Sequence, residues 1–516
     1  MRGECRERFA LFVCHENWYP GIERFLLRPS FSKEPCSVFS VDYRNRRVTV
    51  MGLGRFGGGL GAVRFLAERG AKVIVTDIAS EEDLAESLAE LDGLPLNGMH
   101  LGGHREADFI EADLIVVNPA VKRDNEFLRL AEIAGVSLTS EMSLFFQHNP
   151  ARTIGVTGSN GKSTTAAMIH SILQAAEMPS RLGGNIGRSL LPEVDTITAD
   201  EWIVLELSSF QLADLDRLPV SPDVAVVTNF SPNHLDWHGS LEEYRKAKQA
   251  ILRWQTPDGI AVINDAGADV ASWTINGRRL VFGEEASRGR QPSDTFDDQP
   301  ADTGRSPVDA IDLSECLTLP GEHNRCNALA AASACMAIGV SCDAVRAGLK
   351  AFQPLPHRLE FVGEVAGRRF YNDSLATTPE SGSAALAAFD RPVVLLAGGY
   401  DKQVDLGSLV DDIAKGVKAV ALMGQTAWLL DEMLDERGGR RVSRSICESF
   451  ESAFRWAFDQ SSVGDIVLLS PGCASYDWFR NFADRGRRFV ELVDALRTEQ
   501  PDARPPETSP GLSETI

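Results

Sequence analysis

The sequence predicts an α/β protein of three domains, each built on a parallel sheet, and three observations carry that prediction. Apolar strand patterns alternate with helical ones from about residue 47 to about residue 495. Two glycine-rich turns each lie between a strand and a helix, and polar side chains gather directly after strand-like runs. In an open parallel sheet those strand ends form the edge where ligands sit.

The first strand reads Arg47 to Leu53, followed by a glycine-rich turn, a helix through Glu68 and a strand Lys72–Thr76, which together make one βαβ unit. A second unit opens at Arg152–Val156 and passes through another glycine-rich turn into a helix over Ser163–Ala175, with buried-strand patterns at Trp202–Leu207 and Val224–Thr228. A third set begins near Pro354, with strands at Val393–Ala397, Val417–Met423 and Ile466–Ser470. The expected domains are therefore 47–148, Rossmann-like; 149–354, a P-loop ATPase-like parallel sheet; and 355–498, again Rossmann-like. Residues 1–46 show no period and are expected to be a disordered extension or a misassigned translation start. Residues 284–309 read as a polar surface insertion and 499–516 as a loose tail.

Charge narrows the function. The 516 residues carry 52 Lys and Arg against 73 Asp and Glu, a formal charge of −21. Nucleic acid as a partner is excluded by that balance, because its phosphates need clustered cations. A phosphorylated small molecule is not excluded, since a pocket can be positive inside an acidic protein. The nine cysteines include no CxxC pair, which fits reduced thiols in a cytoplasm. No apolar run is long enough to span a membrane, and no secretory signal is legible at the start.

The sharpest chemical signal is Gly155-Val-Thr-Gly158-Ser159-Asn160-Gly161-Lys162-Ser163-Thr164, between strand and helix. Glycines let backbone N–H groups close around phosphate oxygens, and a helix N-terminus favours negative charge. Lys162 would meet the β- and γ-phosphates and the Ser163 hydroxyl a magnesium ion. The spacing is a variant, because the common phosphate loop has glycine where Val156 stands. Gly52-Leu-Gly54-Arg55-Phe56-Gly57, with Asp77 closing the next strand, is a weaker signal that a dehydrogenase would share. Glu206 ends the run WIVLEL, where a carboxylate beside a phosphate loop reads as a magnesium ligand. His234 follows the strand VAVVT, and Lys248 lies on the helix 241–253. Arg358, Asp373, Gly398 to Lys402 and Pro471 to Ser475 all end strands of the third domain.

Together these residues resemble the Mur ligase family, and within it the glutamate-adding branch, over about residues 47–495. GVTGSNGKST, GGNIG at 183–187, NFSPNHLD, YRKAK, GEHNRCNALAA, LPHRLE, YNDS and GGYDK carry the resemblance. ELSSFQL at 206–212 and the run from Ser470 to Phe482 point to that branch. The resemblance implies a first domain that grips UDP, with Gly54, Arg55 and Phe56 cradling the diphosphate and Asp77 meeting uridine. Asn118 and Asn185 would help hold the UDP-sugar. It implies ATP bound by Gly158 to Thr164 together with Asn324, Asn327, Arg358 and Asp373, and glutamate held by Thr377, Lys402, Ser475 and the backbone of Phe482. Lys248 resembles the family's carbamate-bearing lysine, and a carbamate supplies the anionic oxygens a hard cation needs. His234 and that carbamate would hold one Mg²⁺, and Ser163 with Glu206 another. The implied reaction joins glutamate, D-glutamate by family expectation, to UDP-N-acetylmuramoyl-L-alanine by way of an acyl phosphate. Lys162, His234 and Lys248 are the catalytic candidates, with His234 one candidate for the base that takes the amine proton. A soluble monomer is expected.

One departure stands out. Many glutamate-adding members read Asn-Asp-Ser-Lys-Ala-Thr-Asn where this chain has Asn372-Asp373-Ser374-Leu375-Ala376-Thr377-Thr378. Leu375 offers no ammonium to a substrate carboxylate, which leaves L-glutamate open beside D-glutamate. Another Mur ligase or a folylpolyglutamate synthase is the alternative enzyme. The diaminopimelate- or lysine-adding type would show an Asp-Asn-Pro motif in the third domain, which is absent. A dehydrogenase would leave the second phosphate loop unexplained, and a nucleotide-binding regulator has no need of Glu206, His234 and Lys248 together.

Overall fold

A computed structural model gives the architecture. It describes residues 41–53, 58–186, 189–264, 268–283, 304–305, 316–317, 319, 321–353, 356–401, 404–438 and 441–499. The expected extension at 1–40, the tail from 500 onward and nearly all of the insertion at 284–309 lie outside these.

Three sheets follow one another along the chain. The first holds β1 (Arg47–Met51), β2 (Lys72–Asp77), β3 (Leu96–Leu101), β4 (Leu114–Val117) and β5 (Ser137–Thr139) in the order β3-β2-β1-β4-β5, all parallel. The second holds β6 (Arg152–Thr157), β7 (Ser180–Gly184), β8 (Trp202–Glu206), β9 (Val224–Val227), β10 (Ile260–Asn264), β11 (Arg278–Phe282) and the short β12 (Gly304–Arg305). Its order is β12-β11-β10-β9-β6-β8-β7, again parallel. The third holds β13 (Glu360–Val365), β14 (Arg368–Asn372), β15 (Val393–Gly398), β16 (Val417–Met423), β17 (Ser443–Ile446) and β18 (Ile466–Leu469) in the order β13-β14-β18-β15-β16-β17. It is parallel except for β13, which pairs antiparallel with β14.

Burial explains why these runs become parallel strands. Every residue of β8, β9 and β18 is buried, as expected where helices cover both faces of a sheet. In the central domain the helices Lys162–Ala175 and Glu322–Ala337 pack Met168, Ile169, Ile172, Ala328, Ala331 and Cys335 against β6 and β9 in one core. The third sheet has a core on each side, one around Leu395, Leu409 and Leu468, the other around Phe370, Phe454 and Phe489. The edge strand β13 is amphipathic and half exposed, so it tolerates the antiparallel pairing of a hairpin.

Several strand ends differ by a residue from the reading of the sequence, and two differences at the start of the chain bear on packing. The first strand ends at Met51 rather than Leu53, because Asn118 and Thr76 engage the backbone of 51–52 as the chain turns. The ordered chain also reaches back before residue 47. Tyr43 is 2% exposed, its hydroxyl lies 3.0 Å from His148 Nε2, and its ring meets Phe65 edge-on. Tyr43 thus seals the end of the helix Gly58–Glu68 against the helix Glu141–His148. Truncating a buried aromatic leaves a cavity that neighbours fill only in part, so Tyr43→Ala is expected to cost about 3 kcal/mol. Chemical denaturation of the full chain followed by circular dichroism measures it; an unchanged midpoint contradicts this packing role.

Candidate active site

The site begins at the turn from β6 into its helix. Gly158 and Gly161 take φ of +154° and +81°, and a Cβ at either would run into Thr228 Oγ1 or Asn327 Oδ1. Only glycine lets the loop pass that close. The loop is stitched to the segment after β9: Ser159 N–H donates to Asn229 O at 3.1 Å, Asn160 N–H to Asn229 Oδ1 at 2.9 Å, and Thr228 Oγ1 to Asn160 O at 2.6 Å. Ser159 Oγ donates to Ser231 O at 2.8 Å and lies 3.1 Å from the Tyr244 hydroxyl.

Two lysines meet on this loop. Lys162 Nζ donates to Gly158 O at 3.0 Å and to Ser159 O at 2.9 Å. Lys248, 1% exposed, donates to the same Gly158 O at 2.8 Å and lies 4.8 Å above the Tyr244 ring. Burial pushes both amines below the usual lysine range. For Lys248 the fall is large, and the neighbouring Lys162 charge adds to it while Glu206 opposes it. A neutral amine there can react with carbon dioxide, so the chemistry of the position fits a carbamate.

Glu206 is 2% exposed, and its Oε1 accepts from Asn185 Nδ2 at 2.8 Å. Among the described residues its Oε2 and the Thr164 hydroxyl have no hydrogen-bond partner despite burial. A buried carboxylate oxygen without a partner is costly unless a cation completes it. The chemistry of the Glu206 carboxylate and the Ser163 hydroxyl therefore suits a hard divalent ion. Among the described residues no group of three or more His, Cys, Asp or Glu side chains is placed to hold a metal ion by itself. His234 has φ +53°, and its ring stands 4.9 Å from Phe210 and 6.3 Å from Tyr244.

Facing the loop across a cavity of about 240 Å³ is the third domain. Asn160, Gly161 and Thr164 form one wall, Asn324 and Asn327 another, and Arg358 and Asp373 a third. Seven of the residues expected from sequence to contact ATP are thereby brought to one space from two domains, whereas Gly158, Ser159, Lys162 and Ser163 are not on its walls. Asp373 is held by Ser470 Oγ at 2.8 Å and Leu359 N–H at 3.1 Å. Burial nonetheless pushes its carboxyl up to about 7, against those bonds and the Arg358 charge. The same burial lowers Arg358. His323, which sequence reading did not single out, lines the cavity and is pushed down to about 4 by burial and then by Arg358, so it is neutral at pH 7.

The remaining positions lie elsewhere. Asp77 Oδ2 accepts from Leu53 N–H at 2.8 Å and Oδ1 from Ala79 N–H at 2.9 Å, so here its carboxylate orders the turn after β1. Asn118 Nδ2 donates to Gly52 O at 3.2 Å on the same edge of the first sheet. Gly54, Arg55, Phe56 and Lys402 lie outside the described residues. Thr377 and the buried Ser475 stand on loops of the third domain knotted together by Arg485. That guanidinium, 2% exposed, donates to Ser374 Oγ and O at 3.0 and 2.9 Å, to Cys473 O at 3.1 Å and to Ala474 O at 3.1 Å. Ser374 Oγ in turn donates to Phe482 O at 2.7 Å. Arg485 was invisible in the sequence because an arginine in an amphipathic helix reads as solvated.

Three family models cover this arrangement: "Mur ligase MurD-like, N-terminal domain" over residues 46–140, "Mur ligase middle domain" over 156–335, and "Mur ligase, glutamate ligase domain" over 357–473. The chain belongs to the Mur ligase family. Within it, the chain is 39% identical over 465 residues to the UDP-N-acetylmuramoylalanine–D-glutamate ligase of Roseiflexus sp. (strain RS-1), covering 87% of this chain and 99% of that one. It is 38% identical over 454 residues to the enzyme of the same name from Symbiobacterium thermophilum, covering 87% and 98%. Among solved structures, UDP-N-acetylmuramate-alanine ligase MurC from Thermotoga maritima shares the fold, with TM-score 0.57 and 19% identity over 87% of this chain and 100% of that one.

The buried amine has a stability signature. Its folded pKa lies below the unfolded 10.5, so between the two values the unfolded chain binds the extra proton. Stability therefore rises with pH in that window and is penalised below it. Lys248→Met, which keeps the stem and removes the charge, is expected to flatten the rise. Urea midpoints from pH 7 to 9.5 in carbon-dioxide-free buffer measure it, and parallel curves for the two proteins contradict the assignment.

Proposed function

We propose that this chain is an ATP-dependent, amide-forming ligase that adds D-glutamate to UDP-N-acetylmuramoyl-L-alanine in peptidoglycan precursor synthesis. The observation that carries the reading is the convergence of the phosphate loop, Asn324, Asn327, Arg358 and Asp373 on one cavity between two domains. The names of the relatives at 38–39% identity support the substrates. The proposed domains are 47–148 for the UDP end of the acceptor, 149–354 for ATP and 355–498 for glutamate.

The chemistry follows from charge. The acceptor carboxylate attacks the γ-phosphorus of ATP, ADP leaves, and an acyl phosphate forms. Glutamate nitrogen then attacks the acyl carbon, and phosphate leaves as the amide forms. Each partner is anionic, so positioning and charge compensation are the main tasks. Lys162, Gly158 to Gly161 and Thr164 hold the phosphates, and Asn324, Asn327, Arg358 and Asp373 hold the rest of the nucleotide. Two magnesium ions would offset the negative charge, one held by Ser163 and Glu206, the other by His234 and a carbamate on Lys248. The unpartnered Glu206 Oε2 and the depressed Lys248 amine support that pair of roles. Gly54, Arg55, Phe56, Asp77, Asn118 and Asn185 hold the acceptor.

Thr377, Lys402, Ser475 and the Phe482 backbone hold the incoming glutamate, with Leu375 supplying no charge. The proposed setting is a cytoplasmic monomer; among the described residues no helix is long and apolar enough to cross a membrane.

Phosphate release tests the reading: UDP-N-acetylmuramoyl-L-alanine plus D-glutamate is expected to drive ATP hydrolysis, with L-glutamate at least roughly tenfold slower, a discrimination of about 1.4 kcal/mol. No release with either amino acid overturns the function. Lys162→Ala is expected to lower kcat by about 10³-fold, as loss of a charged transition-state contact does. Lys248→Ala is expected to be inactive and partly restored by short carboxylic acids; near-normal activity without them refutes the carbamate.

A further inference from the structure

The segment between β4 and the helix Glu126–Ile133 joins the first domain to the central one. At its start, Asn118 packs on Gly52, where a Cβ would lie 2.8 Å from Asn118 Cβ, and its Oδ1 accepts from Ala120 N–H at 3.0 Å. Val121 N–H closes the turn onto Asn118 O at 2.9 Å. The outer side of this turn reaches the central domain twice. Arg123 forms a short ion pair with Asp214 on the helix Ser209–Leu215, and Trp237 Nε1 donates to Ala120 O at 3.3 Å.

Both landing points lie on elements that carry or follow the proposed metal ligands, Asp214 in the last turn of the helix that follows Glu206 and Trp237 three residues after His234. Asp214 belongs to a helix whose capping box, Ser208 with Gln211, starts two residues after Glu206. Trp237 lies between His234 and His238, and its ring stands 4.8 Å from Phe210, which itself stands 4.9 Å from His234. Asp214 is only 11% exposed along its side chain, and burial raises its carboxyl while Arg123 opposes the rise. A half-buried pair of this kind is costly to break by one partner, so it fixes geometry more than a surface pair does.

We propose that Arg123 is a positioning residue, which through Asp214 sets the register between the acceptor-holding edge of the first sheet and the Glu206–His234 side of the phosphate loop. The inference rests on the proposed function, because it needs the acceptor to bridge those two places. UDP reaches only the first-sheet end, whereas the whole acceptor spans both. Arg123 thus controls the affinity that the acceptor gains beyond UDP, and leaves UDP and ATP affinities alone.

Isothermal titration of the full chain with UDP and with UDP-N-acetylmuramoyl-L-alanine, in the presence of a non-hydrolysable ATP analogue, reads that gain directly. Arg123→Gln and Asp214→Asn are each expected to weaken acceptor binding about tenfold while UDP and the ATP analogue stay within twofold. The double variant is expected to lose no more than either alone, as one shared interaction requires. Arg123→Lys is expected to restore most of the loss. Acceptor affinity unchanged in both single variants, or UDP and ATP-analogue affinities falling in parallel with it, overturns the positioning role. Wild-type protein that binds the acceptor but forms no amide with glutamate overturns the proposed function instead, while the ratio of acceptor to UDP affinity still reads Arg123.

Discussion

The Gly158 carbonyl is the point on which the site is organised. Two ammonium groups from different helices, Lys248 fully buried and Lys162 partly so, donate to it, at 2.8 Å and 3.0 Å respectively. Neither lysine has a carboxylate within hydrogen-bond distance among these contacts, so both lose the stabilisation that water would give. That arrangement is poor for stability and suited to chemistry. An unsolvated positive charge seeks phosphate, and an amine driven toward neutrality is available for reaction. Gly158 must be glycine for the carbonyl to be turned this way, since a side chain would strike Thr228.

From that point outward the structure is a sequence of braces. Asn229, Thr228 and Ser231 hold the phosphate loop from the β9 side, and Asn185 holds Glu206 from the β7 side. These are the ends of parallel strands, where adjacent strands deliver their last residues to the same edge. The third domain repeats the device around Arg485. Its guanidinium collects carbonyls from the Ser374 and Cys473 loops, so loops distant in sequence move as one body. Burying a guanidinium in this way lowers its pKa to about 10, and four hydrogen bonds keep it satisfied.

Much of this was legible in the residues. The period of the apolar runs gave the three sheets and their parallel sense, and Val417–Met423 was read to the residue. The phosphate loop declared itself because its glycines and lysine have few other uses. The strand-end carboxylate Glu206 followed from position. His323, Asn264 and Thr228 were passed over, since each is an ordinary polar residue until a cavity or a loop comes to it. Tyr43 was read as part of an unstructured extension because one aromatic residue has no period, and only its contact with Phe65 and His148 shows it to be core.

The sequence by itself determined the class of fold, the glycine-rich turn between β6 and its helix, and the family, because those depend on local pattern: alternation of strand and helix, and glycine where the backbone must turn. Only the tertiary structure decided that Lys162 and Lys248, separated along the chain, share one carbonyl, that Arg358 and Asp373 reach the cavity lined by Asn324 and Asn327, and that Arg123 meets Asp214. The reason is physical. Desolvation and charge proximity are properties of a packed interior, and no residue carries them until the chain has brought its neighbours together.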